Sequence, residues 1–348
     1  MVQLGIIGLG GIAGGHIKEL VKNPNAKICA ICDIDEAKLK RVGDRLEIPQ
    51  SHRFTDYKDL IACEDVQAVE ICTPNYLHIP MAMDVVKAGK ALEVEKPLSV
   101  NYDGVDELLQ LIEEKGVVNM TCFSYRFLPA VRYAKHLIDS GKLGKIININ
   151  IAYLKSSGFW AGRRLDWRFV KEYAGSGVIG DLGVHLLDMV RYLVGEYKSV
   201  YASTEIVVKQ RQKLDSDEYA DVETEDVATL LANLECGAKV NFQVSRCAIG
   251  HNNDILFEIY GTEGVLRFDR NEPQALTLCI GEVDRETNSL HKVTVPAKYA
   301  ASQEDTFVKA ASGEIVPDLP DIREAAKCQK ILDALLESAA TNSVVTLS

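Results

Sequence analysis

The stretch Leu4-Gly5-Ile6-Ile7-Gly8-Leu9-Gly10-Gly11-Ile12-Ala13-Gly14-Gly15-His16 constrains this chain more than any other. An apolar run long enough for one buried strand breaks at a cluster of glycines, then resumes with helical spacing. That is a first βα unit whose turn lets a backbone approach another group closely. Gly8-x-Gly10-x-x-Ala13 fits the dinucleotide pattern, with Gly8 for the tight turn, Gly10 for approach to a pyrophosphate and Ala13 for close helix–strand packing. Gly11 and Ile12 open the helix, where free N–H groups and partial positive charge would meet phosphates. Glycine clusters also mark ordinary tight turns, so the context decides.

The context is an alternation. A second strand, Lys27–Cys32, delivers Asp33, an acid placed to accept hydrogen bonds from the ribose hydroxyls of an adenosine. Its charge would repel a 2′-phosphate, so NAD is favoured over NADP. Lys38, Lys40 and Arg41 follow on a helix and could soften that preference, or form no more than a solvated face. Read alone, Asp33 is equally a turn or capping acid. Helices 36–46, 57–62, 79–88 and 102–114 then alternate with strands at 53–54, 68–72, 91–95 and 117–122. Strands separated by helices of this length imply right-handed crossovers and a mostly parallel, doubly wound sheet. Ligands of such sheets bind at the carboxyl ends of the strands. Four stretches fall there: the glycine loop, Asp33, Thr73-Pro74-Asn75 with His78 beyond it, and Glu95-Lys96-Pro97. A lysine at the tip of an interior strand, between an acid and a proline, is poorly placed for a merely solvated charge.

At 348 residues the chain is long enough for two domains, expected at 1–123 and 124–348, with the last helix packing back on the first. A formal net charge of -11 argues against nucleic acid as a partner. No run approaches the roughly 20 apolar residues of a membrane helix. The chain enters a strand at once without the marks of a signal peptide. Its nine cysteines lie scattered in apolar runs, as buried thiols do in a reducing cytoplasm. Cys29-x-x-Cys32 has redox or zinc spacing but sits in a strand, where residues three apart face opposite ways; core packing is the preferred reading. No zinc constellation appears, and no metal is expected.

Beyond Cys122 the alternation stops. Strands at 146–154, 199–208, 227–235, 238–246, 255–260 and 265–268 follow one another with few helices between, an α+β domain with a mostly antiparallel open sheet. Its bare face is a surface for a second copy of the chain. The polar run 209–226 reads as a long loop or extended hairpin. Tyr153 ends the first strand, and both tryptophans, Trp160 and Trp167, lie in the connection that follows, with Arg168 beside them. A glycine-rich entry then leads to a helix carrying Asp181 and His185 at i and i+4, so that they share one face and can touch. An acid beside a histidine orients it and raises its basicity, as general-base chemistry requires; a capping aspartate and a core histidine fit as well.

Taken together, the Gly8–Ala13 loop, Thr73-Pro74-Asn75 with His78, Glu95-Lys96-Pro97, Tyr125-Arg126-Phe127, Trp167-Arg168, Asp181-x-x-x-His185, Gly261-Thr262-Glu263-Gly264 and the terminal segment 333–338 resemble the Gfo/Idh/MocA family of NAD(P)-dependent sugar and polyol dehydrogenases, over essentially the full length. The glycine loop is common to many families; Glu-Lys-Pro followed by Asp-x-x-x-His in a second domain is not. The resemblance implies a Rossmann domain, a sheet domain that often mediates oligomers, hence a homodimer or homotetramer, and a pocket between the two. It implies Lys96, Asp181 and His185 as the catalytic group, all three kept as in members most like inositol dehydrogenase. The expected cofactor contacts are Gly8, Gly10, Gly11, Ile12, Asp33, Thr73, Pro74, Asn75, His78, Glu95, Lys96 and Arg126. The expected substrate contacts are Lys96, Arg126, Tyr153, Trp160, Trp167, Arg168, Asp181 and His185.

The residues agree with that chemistry. Oxidising a secondary alcohol needs a hydride acceptor, a base for the hydroxyl proton and a cation at the developing alkoxide. NAD, His185 oriented by Asp181, and Lys96 would supply them. The expected activity is oxidation of a ring hydroxyl of a cyclic polyol or sugar. A keto-sugar or anionic-carbonyl reductase and a non-catalytic NAD or sugar sensor are the rivals. A nucleophilic-cysteine dehydrogenase, whose thiol a histidine must activate, is disfavoured, since Cys236, Cys247 and Cys279 sit in strand patterns.

Overall fold

A computed structural model describes residues 1–160 and 162–347. They form two compact units, Met1–Cys122 with Ser302–Lys327, and Phe123–Ala301 with Cys328–Ser348. The segment that joins the first unit from the far end of the chain is therefore 302–327, which is more than the last helix and also less than the whole of it.

In the first unit the strands β1 (Val2–Ile7), β2 (Ala26–Cys32), β3 (Arg53–Phe54), β4 (Ala68–Ile71), β5 (Ala91–Val94) and β6 (Asn119–Thr121) alternate with α1 (Gly11–Leu20), α2 (Glu36–Arg45), α3 (Tyr57–Ala62), α4 (His78–Lys87) and α5 (Val105–Lys115). All pairings are parallel, in the order β3-β2-β1-β4-β5-β6. Parallel strands are covered on both faces, which is why they read as near-continuous apolar runs. The chain runs outward from β1 to β3, then returns to β4 on the other side of β1. The carboxyl ends of β1 and β4 thus frame the switch point where such sheets take their ligands. Cys29 and Cys32 are buried free thiols, and burial pushes them up to about 11 and about 12; neither has the depressed value a reactive thiol needs.

The second unit opens with α6 (Pro129–Asp139) and the long β7 (Ile146–Leu154). The one-turn α7 (Lys171–Ala174) precedes α8 (Val184–Leu193), and β8 (Tyr197–Glu205) follows. The polar run 209–226 is a hairpin of β9 (Gln210–Gln212) and β10 (Tyr219–Asp221). Then come β11 (Val227–Leu234), β12 (Lys239–Ser245), β13 (Asp254–Gly261), β14 (Gly264–Asp269), β15 (Ala275–Ile280), α9 (Glu282–Thr287) and β16 (His291–Thr294). The terminal elements are α10 (Gln303–Ala311), α11 (Ile322–Thr341) and β17 (Val345–Thr346). Nine strands form one sheet in the order β16-β15-β14-β13-β7-β12-β11-β8-β17, antiparallel throughout except for β7 beside β12. Alternation of buried and more exposed residues along β11 and most of β12 marks a sheet with one core face and one solvent face. No described helix is long and apolar enough to cross a membrane.

Candidate active site

Gly8 leaves β1 at φ +91°, and a Cβ there would stand 2.8 Å from the Cys72 carbonyl oxygen at the end of β4. Only glycine fits that turn. Gly10 is the N-cap of α1 and offers no side-chain hydrogen bond to the helix. A Cβ at Gly10, Gly11, Gly14 or Gly15 would meet nothing within 4 Å. The start of α1 is thus an uncapped helix N-terminus with an open backbone face, while Ala13 at the third motif position is fully buried against the sheet. Ile12, in the first turn, is exposed.

Asp33 closes this loop from the end of β2. Its Oδ2 accepts the Leu9 N–H at 2.7 Å and its Oδ1 accepts the Asp35 N–H at 2.9 Å. A carboxylate has about four lone-pair sites, so these bonds fix the group and leave acceptors for a diol. Lys38 Nζ approaches Asp33 Oδ1 at 3.6 Å; Lys40 instead pairs with Asp44. Ile34, which the sequence reading passed over, is 90% exposed directly after Asp33. Its signal was an isoleucine standing between two strand-end acids.

The next two strand tips are tied together. His78 is fully buried, with Nδ1 2.8 Å from the Pro97 carbonyl and Nε2 2.9 Å from the Thr73 carbonyl. Burial pushes it below its ordinary value, against the raising effect of both carbonyls. It lies between the Thr73-Pro74 turn and the Lys96-Pro97 turn, a neutral ring donating its one N–H to one of the two carbonyls, and Asn75 is buried in the turn that follows. The Lys96–Pro97 peptide is cis. Glu95 Oε2 accepts the backbone N–H of Lys96 at 3.1 Å, and Oε1 lies 3.1 Å from His16 Nε2. His16 is the one polar member of the buried stripe Ala13, His16, Ile17, Leu20 of α1, a signal the glycines beside it overshadowed.

In the second unit the approach to α8 is not the regular helix assumed above. Residues Ile179–Gly183 form a wide π turn, with Asp181 at its centre, and the α-helix starts only at Val184. Such turns recur at functional sites. Glu225 holds the turn, its Oε1 accepting the N–H groups of Gly177 at 2.8 Å and Ile179 at 3.0 Å. A Cβ on Gly177 would stand 2.0 Å from the Glu225 carbonyl oxygen, so this approach too requires glycine. His185 is buried on the first turn of α8, its ring edge-on to Tyr125 at 4.6 Å. Tyr125 and Tyr153 hydroxyls are 2.7 Å apart, and the Tyr153 hydroxyl donates to Asn253 Oδ1 at 2.7 Å. Burial pushes the Tyr153 phenol well up, and the Tyr125 phenol and the Asp181 carboxylate add to it. Lys155 lies over the Tyr153 ring and Arg270 over the Tyr125 ring. Tyr125 was adjacent to a residue singled out above; Asn253, Lys155 and Arg270 come from distant strands and carried no local signal.

Two of the expected ligand contacts, Arg126 and Arg168, have partners within the second unit. Arg126 is 5% exposed and forms a bidentate pair with Asp188 of α8, Nε to Oδ2 at 2.8 Å and Nη2 to Oδ1 at 2.5 Å. That ion pair ties the turn Ser124–Phe127 to α8. Arg168 stacks on Trp167 at 4.3 Å. Trp160 is 57% exposed, next to residue 161, which lies outside the described residues.

A doubly wound parallel unit with an uncapped glycine turn, followed by an open-sheet unit carrying an aspartate–histidine element, defines a two-part nicotinamide-dependent oxidoreductase. Comparison with known proteins gives the family. The description "Oxidoreductase family, NAD-binding Rossmann fold" matches residues 2–123 and "GFO/IDH/MocA C-terminal domain" matches residues 131–267. The chain belongs to the Gfo/Idh/MocA oxidoreductases. It is similar to levoglucosan dehydrogenase of Pseudarthrobacter phenanthrenivorans, at 32% identity over 84% of this chain and 82% of the relative. It is similar to myo-inositol 2-dehydrogenase of Thermotoga maritima, at 27% identity over 90% and 89%. A levoglucosan dehydrogenase solved with NADH and L-sorbose superposes with a TM-score of 0.92 at 27% identity, covering 100% of this chain and 99% of the other. The expected family, the Rossmann and open-sheet fold classes and NAD as cofactor stand.

Proposed function

We propose that this protein oxidises a secondary ring hydroxyl of a cyclic polyol or pyranose, with His185 as base, Asp181 as its orienting acid and Lys96 donating to the reacting oxygen. The observation that carries it is the surround of His185: two hydrogen-bonded phenols, Asn253, and a π turn that presents Asp181 one turn before the imidazole. Such an array of oriented donors and acceptors suits a polyhydroxylated ring. The open glycine face, the uncapped α1 terminus and Asp33 fit a dinucleotide, with Ile34 against the adenine and Asp33 on the ribose diol. NAD, when bound, supplies the hydride acceptor. His185 takes the hydroxyl proton at an imidazole nitrogen. A fixed ammonium on Lys96, in a site from which water is excluded, steadies the oxygen as it gains charge, an effect of several kcal/mol.

The test is a panel of levoglucosan, inositols and free pyranoses followed by NADH absorbance. Lys96→Met and His185→Ala should each lower kcat by about 100-fold or more while NAD affinity by calorimetry stays within a few-fold. Wild-type rates in either variant would overturn the assignment, and equal affinity for NAD and NADP would remove the role of Asp33. A second reading, a sugar acid or sugar phosphate as substrate, is favoured by Lys155 and Arg270 beside the same two phenols; Arg270→Ala would then raise KM for the anionic substrate alone. In this reading the solvent face of the nine-stranded sheet receives a second copy of the chain, which light scattering checks, and the protein works in the cytoplasm.

A further inference from the structure

The first unit holds a concentration of buried charge that the proposed chemistry does not use. Glu70 on β4 and Glu93 on β5 are register partners in adjacent strands and both are 0% exposed. Glu95, two residues on from Glu93, shares its face. Against that face stands one imidazole. His16 Nδ1 is 2.6 Å from Glu70 Oε1, its Nε2 is 3.1 Å from Glu95 Oε1, and Glu304 of α10 reaches Nδ1 at 3.7 Å. Gln303 donates to Glu93 Oε1 at 3.1 Å, and the thiols of Cys122 and Cys72 point at Glu93 and Glu70. These are the titratable groups that face His16 from α1, β4, β5, β6 and α10.

A neutral imidazole has one N–H and cannot donate to carboxylates at both nitrogens. Glu95 is within hydrogen-bond reach of Nε2, while Glu70, 2.6 Å from Nδ1, is an ion-pair partner without hydrogen-bond geometry; two carboxylates this close to opposite ring nitrogens favour the imidazolium by charge. Burial by itself would lower the His16 value, but Glu70 and then Glu95 outweigh it and hold it well above the ordinary range. Glu95 in turn spends its other oxygen on the Lys96 backbone N–H. The line Glu70–His16–Glu95–Lys96 runs from the sheet interior to the residue that the proposed function places at the reacting oxygen.

We propose that His16 is a positioning residue: as an imidazolium held by Glu70, it fixes the Glu95 carboxylate and through it the backbone that carries Lys96. The role rests on the reading of Lys96 as the group at the reacting oxygen. Two of its tests need no substrate. Imidazole NMR of histidine-labelled protein should show one doubly protonated ring persisting well above about pH 6.5, the ordinary midpoint, and missing in His16→Gln. Trace labelling of lysine amines should change several-fold at Lys96 in His16→Gln, with Lys22 and Lys309 unchanged. On whichever sugar or polyol the panel identifies, His16→Gln should lower kcat roughly 10–100-fold, the usual cost of loosening a group that orients another, with NAD affinity within a few-fold.

Glu70→Gln serves if His16→Gln does not fold. Removing that negative charge makes the imidazolium easier to lose, so the midpoint at which the His16 ring loses its second proton should move to lower pH, with Lys96 labelling changed as in His16→Gln, while Glu70→Asp, which keeps the charge, should move the midpoint less. A neutral His16 ring at neutral pH overturns the proposal, as does Lys96 labelling unchanged in both variants. So does a stoichiometric metal in the purified protein that is lost with His16→Gln, because His16, Glu95 and Cys122 lie close enough to share one ion. If the panel shows no turnover but the ring and the labelling behave as stated, the proposed function fails and the positioning line stands.

Discussion

The two units bury charge in opposite ways. In the second, two buried guanidinium groups have a carboxylate each: Arg126 with Asp188, and Arg246 with Asp226, whose Nε–Oδ1 distance is 2.5 Å and whose second oxygen accepts the N–H groups of Val207 and Val208 at 2.8 and 2.9 Å. In the first, one imidazole serves Glu70, Glu95 and Glu304, with Glu93 alongside. A one-to-one pair is neutral at every pH near neutrality and acts as a fixed structural joint. An acid excess stays buried only by keeping protons, and its charge state is tied to solution pH. The difference separates a joint from a device.

The largest expected effect breaks a joint. Asp188→Ala leaves the Arg126 guanidinium buried beside Phe123 and Tyr192 without its carboxylate. Removing one partner of such a pair costs about 3–5 kcal/mol, whereas replacing both by apolar residues of similar volume is often close to neutral. Thermal and urea unfolding of Asp188→Ala and of Arg126→Leu/Asp188→Leu should reproduce that order, with little dependence on pH between mildly acid and mildly alkaline solution. A loss below about 1 kcal/mol in the single variant, the size of a surface pair, would show that Arg126 is not a joint.

The same contrast explains what the sequence could reveal. The six parallel strands were legible because burial on both faces writes itself as continuous apolar runs, and the Gly8 turn was legible because local spacing carries its meaning. The joints were not. Arg126 finds its carboxylate 62 residues away, Tyr153 its amide 100 residues away, and His16 its second carboxylate 79 residues away. Arg126 accordingly read as a ligand contact, since an arginine near a strand end looks the same whether it faces solvent or Asp188. The π turn at 179–183 was hidden because Asp181 and His185 keep a spacing of four whether or not the helix is regular. Strands β15 and β16 went unmarked amid charged and threonine-rich flanks, though Ala275–Ile280 does alternate.

The next effect tests the device. Burial first, then the Glu70 and Glu304 carboxylates, hold Glu93 well above the ordinary carboxyl range against the lowering effect of His16. Between the unfolded value near 4.5 and that raised folded value, the folded chain binds more protons than the unfolded one, so stability falls as pH rises and the loss is complete above the folded value. His16, also raised, acts in the same direction: its contribution is full below its unfolded value and fades as pH climbs through the folded one. Glu93→Gln keeps the shape and removes one of the two slopes. It should melt with the wild type at about pH 4.5, then gain on it at alkaline pH by about 1–3 kcal/mol, the penalty for a buried group whose polar demand is unmet. Parallel melting curves at both pH values would mean that the acid excess is balanced by something other than protons.

The smallest effect separates pairing from burial as the source of rigidity. Arg191 and Glu196 form a bidentate pair at 2.8 and 2.7 Å, as well made as that of Arg126, but the Glu196 side chain is half exposed. Water can replace the carboxylate when it is removed, so Glu196→Gln should cost about 0–1 kcal/mol and less in high salt. A loss as large as that of Asp188→Ala would mean that bidentate geometry by itself makes a joint. A loss within the stated range assigns the rigidity of the second unit to desolvation of the carboxylate, the property that Asp188 and Asp226 have and Glu196 lacks.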